Sequence, residues 1–249
     1  MQSDWILSPR PSPQARFRLF CFHTAGRGAS MYAPLAKLLP AEIELLGIQL
    51  PGRENRIREK PLAHIDLITD SLFDALLPLF DRPFAFFGPS MGALVAFDFA
   101  RKLNQTRGLS PVHLFFASRR APNTPDRLPG ISHLPVDEFA DAVHARYNSI
   151  PAVIRQDRDL MDLFIPVLRA DFQVIETYPY RESKPFDCPL SVLRGAADPV
   201  MLAADFDGWA SHTTGAYAEI TFPGGHFFFL EQPATTVEWI SKALLTSGG

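Results

Sequence analysis

Short apolar runs alternate along the chain with longer segments in which apolar residues recur at helical spacing. Several of the runs are continuously apolar, which is typical of strands whose two faces are both covered. Strands that alternate with helices indicate a mostly parallel sheet with right-handed crossovers, and therefore an α/β fold. The runs predict strands at 17–22, 43–50, 84–87, 112–117, 189–193 and 217–222.

Helical spacing predicts helices at 31–39, 65–80, from 93 to 103 and at 231–245. The alternation stops between 131 and 180, where no strand is convincing and two helices are predicted, at 135–147 and 157–177. Pro166 is expected to kink or split the second of them. We therefore predict one domain over 1–249, with an inserted helical lid at 131–180.

A serine lies where an apolar run passes into a helical segment, in Gly88-Pro89-Ser90-Met91-Gly92. This G-x-S-x-G pattern between a strand and a helix is typical of the nucleophile elbow of α/β-hydrolases. A tight turn leaves no room for side chains two residues before or after the serine, which explains both glycines. Ser90 is thus the candidate nucleophile. The alternative is a glycine-bracketed turn that only packs a helix onto the sheet.

Two partners for a serine nucleophile follow later strands in the expected order. Asp198 follows the strand at 189–193, 108 residues after Ser90, and His226 follows the strand at 217–222, 28 residues later. Histidine titrates near neutrality and can accept the serine proton, while an aspartate holds the imidazole in the useful tautomer. Asp205 and Asp207 are poorer substitutes for Asp198.

Attack on a carbonyl creates an oxyanion that needs N–H donors. We expect these donors to be the backbone N–H groups of Met91, directly after the nucleophile, and Ala25, in the loop after the first predicted strand. His23 lies in that loop and is expected to shape the turn. The remaining histidines are expected to be ordinary surface or core residues: His64, His113, His133, His144 and His212.

Composition excludes some classes of function. The net charge of −3 gives no electrostatic footprint for nucleic acid, and no apolar stretch is long enough to span a membrane. The first 16 residues lack the apolar centre of a signal peptide. Cys21 and Cys188 are expected to be structural thiols, so we expect a cytoplasmic protein. No His or Cys pair has the spacing of a zinc site. The 21 phenylalanines predict core filling, or else an apolar tunnel.

Beyond these residues, the sequence resembles the type II (external, editing) thioesterases of nonribosomal peptide and polyketide synthesis over nearly its whole length. That resemblance implies an α/β-hydrolase fold, a Ser90–Asp198–His226 triad and hydrolysis of acyl or aminoacyl thioesters on the phosphopantetheine arm of a carrier protein. It also implies a lid that shapes a tunnel, and no cofactor; we expect a monomer. The segments that carry it are 51–54, 88–94, 118–122, 168–172, 176–178, 187–189 and 224–230.

Two positions depart from the family pattern. Pro89 stands where the family usually has histidine, and proline has a fixed φ and no N–H. Arg27 stands where the oxyanion loop usually has glycine, and we expect it to alter substrate choice rather than chemistry.

Other charged residues leave alternatives open. Arg53 and Arg56 are expected in a solvated loop with ion pairs rather than on substrate. Arg119 and Arg120 are expected to be ordinary surface, or else a basic rim for an acidic carrier protein. Asp171 could cap its helix or pair with an arginine.

Serine chemistry attacks esters and thioesters alike, so the triad leaves the substrate open. The alternatives are a medium-chain acyl-CoA or fatty-acyl thioesterase, a small-ester hydrolase, and a non-catalytic scaffold that binds carrier proteins.

Overall fold

The computed structural model describes residues 4–246 and contains one seven-stranded sheet. The strands are β1 (Ile6–Leu7), β2 (Phe17–Cys21), β3 (Ile43–Ile48), β4 (Phe84–Pro89), β5 (His113–Ala117), β6 (Leu190–Gly195) and β7 (Tyr217–Phe222). The helices are α1 (Ala33–Leu38), α2 (Ile65–Leu76), α3 (Met91–Arg107), α4 (Val136–Tyr147), α5 (Ala152–Arg155), α6 (Arg158–Glu176), α7 (Phe228–Glu231) and α8 (Pro233–Thr246). The first and last three residues of the predicted 1–249 domain lie outside this range.

The strand order is β1-β3-β2-β4-β5-β6-β7. Strands β2 to β7 pair in parallel, which confirms the prediction of a mostly parallel sheet. β1 pairs antiparallel with β3, with Ile6 opposite Ile48. β1 was not predicted, because two residues beside a proline-rich stretch carry no detectable period. Each parallel strand therefore delivers the loop after it to the same edge of the sheet.

Phenylalanines fill the core on both faces of the sheet. Along β4, Phe86 packs towards α2 and α3, while Phe87 packs towards α1 and α8, and both side chains are fully buried. Many of the rings meet edge to face, as Phe20 and Phe86 do with centroids 5.8 Å apart. Most of the aromatic excess therefore serves packing.

Helices α4, α5 and α6 lie between β5 and β6, and no strand interrupts residues 131–180. They share a small apolar cluster of their own, with Phe139 and Phe172 at its centre. α6 continues through Pro166, so the proline does not split the helix, while a kink there stays a prediction. A proline removes one helical hydrogen bond, and the buried face of α6 supplies packing on both sides of it.

Helix boundaries shift where prolines intervene. The predicted 65–80 helix ends as α2 at Leu76 and continues as a 3-10 turn over Leu77–Leu79, which contains Pro78. The predicted last helix is divided into α7 and α8 at Pro233. Gln232, the residue before Pro233, has φ −130° and ψ 63°, outside the helical region that residues before proline avoid, which explains the second break. Further 3-10 turns are Ala29–Tyr32, Glu54–Arg56, Ala203–Asp205 and Asp207–His212.

Candidate active site

Ser90 lies on the turn between β4 and α3, in a conformation with a positive φ of 53°. Glycines flank the turn because the backbone leaves no room for a side chain. A Cβ on Gly88 would lie 2.2 Å from the carbonyl oxygen of Gly92. A Cβ on Gly92 would lie 2.2 Å from the carbonyl oxygen of Phe22. The turn thus holds the Ser90 side chain at the carboxyl edge of the sheet under local strain.

Pro89 fits this turn as the last residue of β4. The N–H of Ser90 donates to the carbonyl of Ala117 on β5, at 2.8 Å. Because N–H groups alternate sides along a strand, an N–H on residue 89 would point towards β2. The pairing of β2 with β4 ends at Phe87, so the missing N–H of proline removes no bond from that ladder.

His226 joins the two other predicted residues. Its Nε2 lies 3.1 Å from the hydroxyl oxygen of Ser90, and its Nδ1 lies 2.8 Å from Oδ2 of Asp198. A carboxylate only accepts, so Nδ1 carries the proton and Nε2 is free to accept from the serine hydroxyl. The structure therefore brings Ser90, His226 and Asp198 into one hydrogen-bonded chain.

The loops that carry the acid and the base are held by polar contacts. Oδ1 of Asp198 accepts the N–H groups of Val200 and Met201, at 2.9 and 3.2 Å. The hydroxyl of Ser118 donates to the carbonyl of His226, at 2.8 Å. This role of Ser118 was not predicted, and its position directly after β5 was the signal that could have indicated it. Asp205, an alternative to Asp198, instead accepts from Arg127 and the N–H of Leu202.

Aromatic rings enclose the histidine. The rings of Tyr147 and Phe227 each lie 5.1 Å from the His226 ring. Tyr147 ends α4, so one of the inserted helices touches the candidate base directly. Burial of Tyr147 raises the pKa of its hydroxyl. This residue was also missed, because a single tyrosine at a helix end resembles any other.

Of the two candidate oxyanion donors, Met91 directly follows Ser90 in the chain, and Ala25 lies in a loop whose start approaches the elbow. Met91 is the first residue of α3, whose first N–H groups have no acceptor within the helix. Ala25 belongs to the 23–27 loop after β2, which we call the oxyanion loop. The close approach of Gly92 to the carbonyls of Phe22 and His23 shows that the start of this loop packs against the elbow. His23 Nδ1 donates to the carbonyl of Thr24, at 2.9 Å, and so shapes the turn.

Four arginines are buried, contrary to the expectation of solvated or surface positions. Arg53 and Arg56 are 5% and 7% exposed, and each forms an ion pair, with Asp171 and Glu59 respectively. The prediction of ion pairs for them was correct and that of a solvated loop was wrong.

Arg119 and Arg120 are also buried and face Asp126. They are 8% and 2% exposed, so neither a surface position nor a basic rim describes them.

A cavity of about 380 Å³ opens beside the oxyanion loop. Gly26 and Arg27 line one side of it, and the apolar residues Leu163, Phe164 and Val167 of α6 line the other. Arg27, next to Ala25 in the chain, therefore lines this largely apolar space, and its influence on substrate choice stays a prediction.

The sheet, the elbow and the serine–histidine–aspartate chain together define the class of serine hydrolases with an α/β-hydrolase fold. The model of the thioesterase domain matches residues 17–244. The chain therefore belongs to the thioesterase domain family, which confirms the resemblance seen in the sequence.

Individual proteins support the same family. The chain is 36% identical over 242 residues to the gramicidin S biosynthesis protein GrsT of Aneurinibacillus migulanus, covering 97% of this chain and 94% of that protein. It is 30% identical over 227 residues to the medium-chain S-acyl fatty acid synthase thioesterase of Rattus norvegicus, covering 88% and 84%. The structure of the type II thioesterase BorB from the borrelidin biosynthetic cluster superposes with a TM-score of 0.87 at 33% identity, covering 97% and 98%.

Across residues 4–246, none of the helices combines the length and the apolar character that crossing a membrane requires.

Proposed function

We propose that this protein is a type II thioesterase that removes acyl or aminoacyl groups from the phosphopantetheine arm of carrier proteins. Ser90 is the nucleophile, His226 the general base and acid, and Asp198 the residue that orients the imidazole. The observation that carries this proposal is the continuous chain from Ser90 Oγ through His226 to Asp198 in a member of the thioesterase domain family. Such a chain activates a hydroxyl that is otherwise a weak nucleophile.

The reaction has two steps. Ser90 Oγ bonds to the thioester carbonyl carbon while His226 Nε2 takes its proton; the C–S bond then breaks and the departing sulfur takes that proton. Water attacks the resulting acyl-serine while His226 again accepts a proton. The C–O bond to Ser90 breaks, the serine oxygen is reprotonated, and the free acid leaves.

The backbone N–H groups of Met91 and Ala25 would receive the oxyanion in both steps. One such donor contributes about 3–4 kcal/mol of transition-state stabilisation in other hydrolases. In this proposal helices α4 to α6 form the lid, and the contact of Tyr147, at the end of α4, with the His226 ring supports it. The cavity beside Arg27 offers an apolar space for the acyl group or the arm.

Carrier proteins as partners are supported by the relatives: GrsT is named a gramicidin S biosynthesis protein, and BorB a type II thioesterase from the borrelidin biosynthetic cluster. The proposal includes a monomer in the cytoplasm, where the free thiols Cys21 and Cys188 would stay reduced. Burial raises the pKa of the Cys188 thiol to about 12, so it is unreactive.

A second candidate function is supported by the rat medium-chain relative: hydrolysis of fatty-acyl thioesters on a synthase or on coenzyme A. The test presents one acyl group on a carrier protein, on coenzyme A and on a simple ester, and follows the carrier by intact-protein mass spectrometry. We expect kcat/KM to be highest when the acyl group is on the carrier protein. Faster turnover of coenzyme A thioesters would favour the second function, and no turnover of any of them would favour a binding scaffold.

A further inference from the structure

An ion pair outside the triad joins two segments that carry the family resemblance. Arg53 follows β3 and Asp171 lies in α6, and their side chains meet through two parallel hydrogen bonds. Nη1 lies 2.7 Å from Oδ2, and Nη2 lies 2.9 Å from Oδ1. The Asp171 side chain is fully buried and that of Arg53 is 6% exposed. The triad mechanism does not use this pair.

The same pair holds the oxyanion loop from both sides. Oδ2 of Asp171 accepts the N–H of Gly26, at 2.8 Å. Nη1 of Arg53 donates to the carbonyl of Arg27, at 3.1 Å. The bond to Gly26 fixes the Ala25–Gly26 peptide plane, directly after the candidate oxyanion donor, and the bond to Arg27 fixes the Arg27–Gly28 plane at the end of the loop.

His23, at the start of the loop, completes the network. Its Nδ1 donates to Thr24, which leaves Nε2 as an acceptor, 3.5 Å from Nη1 of Arg53. Burial and the neighbouring Arg53 charge lower the pKa of His23 to about 4, so the ring is neutral at physiological pH. Arg53 therefore meets the loop at both its beginning and its end.

A buried ion pair is weak evidence for stability, because the cost of desolvation offsets the attraction of the charges. It does impose geometry, since a planar guanidinium and a carboxylate match in one orientation. Here that geometry is transmitted to the oxyanion loop by directed hydrogen bonds.

We propose that Arg53 and Asp171 are positioning residues that hold the oxyanion loop so that the Ala25 N–H faces the developing oxyanion. This inference rests on the proposed function of Ser90 and Ala25. It also couples the lid to the chemistry, because Asp171 belongs to α6: displacement of this part of the helix breaks the bond to Gly26. Sequence alone could suggest an arginine partner for Asp171, but not the bond to the loop.

The test compares Asp171→Asn and Arg53→Lys with Arg56→Lys. Arg56 is a matched control because it is equally buried, lies three residues away and forms its own ion pair with Glu59 and a contact with Trp5. An acyl-N-acetylcysteamine thioester serves as substrate, so the assay needs no carrier protein. We expect kcat to fall about 30- to 300-fold in the first two variants, as when an oxyanion donor is partly lost, with KM changed less than about threefold. The control should keep kcat within about threefold.

A second readout separates positioning from general damage. An alkyl trifluoromethyl ketone forms a hemiketal with the nucleophilic serine and places its oxyanion in the hole, whereas the matching secondary alcohol does not. Transition-state analogues lose affinity in parallel with kcat/KM when transition-state contacts are lost. We expect the inhibition constant of the ketone to rise with the loss of kcat in the Asp171 and Arg53 variants. That of the alcohol should stay constant.

The proposal is overturned if kcat and ketone affinity in Asp171→Asn and Arg53→Lys match those of Arg56→Lys, whatever the melting temperatures. It is also overturned if the ketone and the alcohol lose affinity equally. Should Asp171→Asn fail to fold, Arg53→Lys keeps the positive charge and decides the question. Failure of the carrier-protein proposal would appear separately, as a wild-type enzyme that cleaves the small thioester but unloads no carrier.

Discussion

The carboxyl edge of the sheet and the helices inserted between β5 and β6 are built in different ways. At the sheet edge, two close backbone approaches fix the Ser90 turn, and the short side chain of Ser118 donates to the carbonyl of His226. In the inserted helices, long side chains bind distant main-chain groups. Glu176 accepts the N–H of Ile131, at 2.6 Å, and Arg169 donates to the carbonyl of Leu134, at 2.7 Å.

The difference separates the region that carries the reacting groups from the helices that pack against it. A site held by backbone contacts cannot tolerate small changes, since collisions in a packed interior are costly. A region held by its own small cluster and by side-chain bonds can shift or open with less loss. The Arg53–Asp171 pair is the polar connection through which the second region acts on the first.

The largest expected effect concerns the acid at the sheet edge. Asp198→Asn should lower kcat about 10⁴-fold, because an amide no longer holds the imidazole in the tautomer that accepts the Ser90 proton. Steady-state kinetics with a small thioester would measure it. Asp205→Asn, in the same loop but bonded to Arg127 and Leu202, should keep kcat within tenfold. Equal losses in the two variants would contradict the assignment of Asp198.

Two buried phenylalanines compare the stability of the regions. Phe86→Ala in β4 and Phe139→Ala in α4 remove the same side chain from fully buried positions. We expect Phe86→Ala to lower the free energy of global unfolding by about 3–5 kcal/mol. Phe139→Ala should instead open the inserted helices locally, so that limited proteolysis cuts within 131–180 while amide exchange in β2 and β4 stays slow. Identical exchange patterns would show that the two regions unfold as one unit.

Acid should lower the free energy of unfolding by protonating histidines that are buried and neutral in the folded protein. Burial lowers the pKa of His113, on β5, to about 4. Between pH 6.5 and 4, His113 binds a proton in the unfolded chain but not in the folded chain, so acid favours unfolding. This group leaves the free energy of unfolding unchanged above pH 6.5 and lowers it by up to about 3 kcal/mol as the pH falls towards 4. In His113→Gln, which can keep a bond to Ser191, denaturant unfolding should show a shallower loss of stability over this range. An unchanged slope would refute this origin.

The smallest effect is expected at an exposed charge of the inserted helices. Arg158 is 69% exposed and pairs with Asp137 and Asp162 at 3.6 and 3.4 Å. Arg158→Ala should change the free energy of unfolding by less than about 0.5 kcal/mol and leave kcat unchanged. A loss of kcat comparable to that expected in Arg53→Lys would mean that exposed and buried ion pairs affect catalysis alike in this protein.

The sequence predicted the sheet edge far better than the inserted helices. Ser90, Asp198 and His226 each follow an apolar run, and parallel strands bring such positions together whatever the distance in the chain. The helical character of 135–147 and 157–177 was also predictable from apolar spacing. The contact of Tyr147 with His226 and the burial of Arg53 were not, because they depend on how α4 and α6 dock on the sheet.

Single charged residues show the same limit. An arginine in a loop is usually solvated, and nothing within three or four residues of Arg53 reveals that a carboxylate 118 residues away will neutralise it. The same holds for Arg119 and Arg120, which were expected at the surface and face Asp126 in the interior. Local spacing therefore predicts elements, while the partners of buried charges follow from tertiary packing.

The most direct test of the account is to trap the covalent intermediate. The enzyme is mixed with an acylated carrier protein, quenched in acid within milliseconds and digested, and the peptide that contains Ser90 is weighed by mass spectrometry. If Ser90 forms the acyl-enzyme, the mass of this peptide should rise transiently by that of the acyl group. Ser90→Ala should show no such increase, and its unloading of the carrier should fall to background. Undiminished unloading by Ser90→Ala, or an acyl adduct on another residue, would contradict the account.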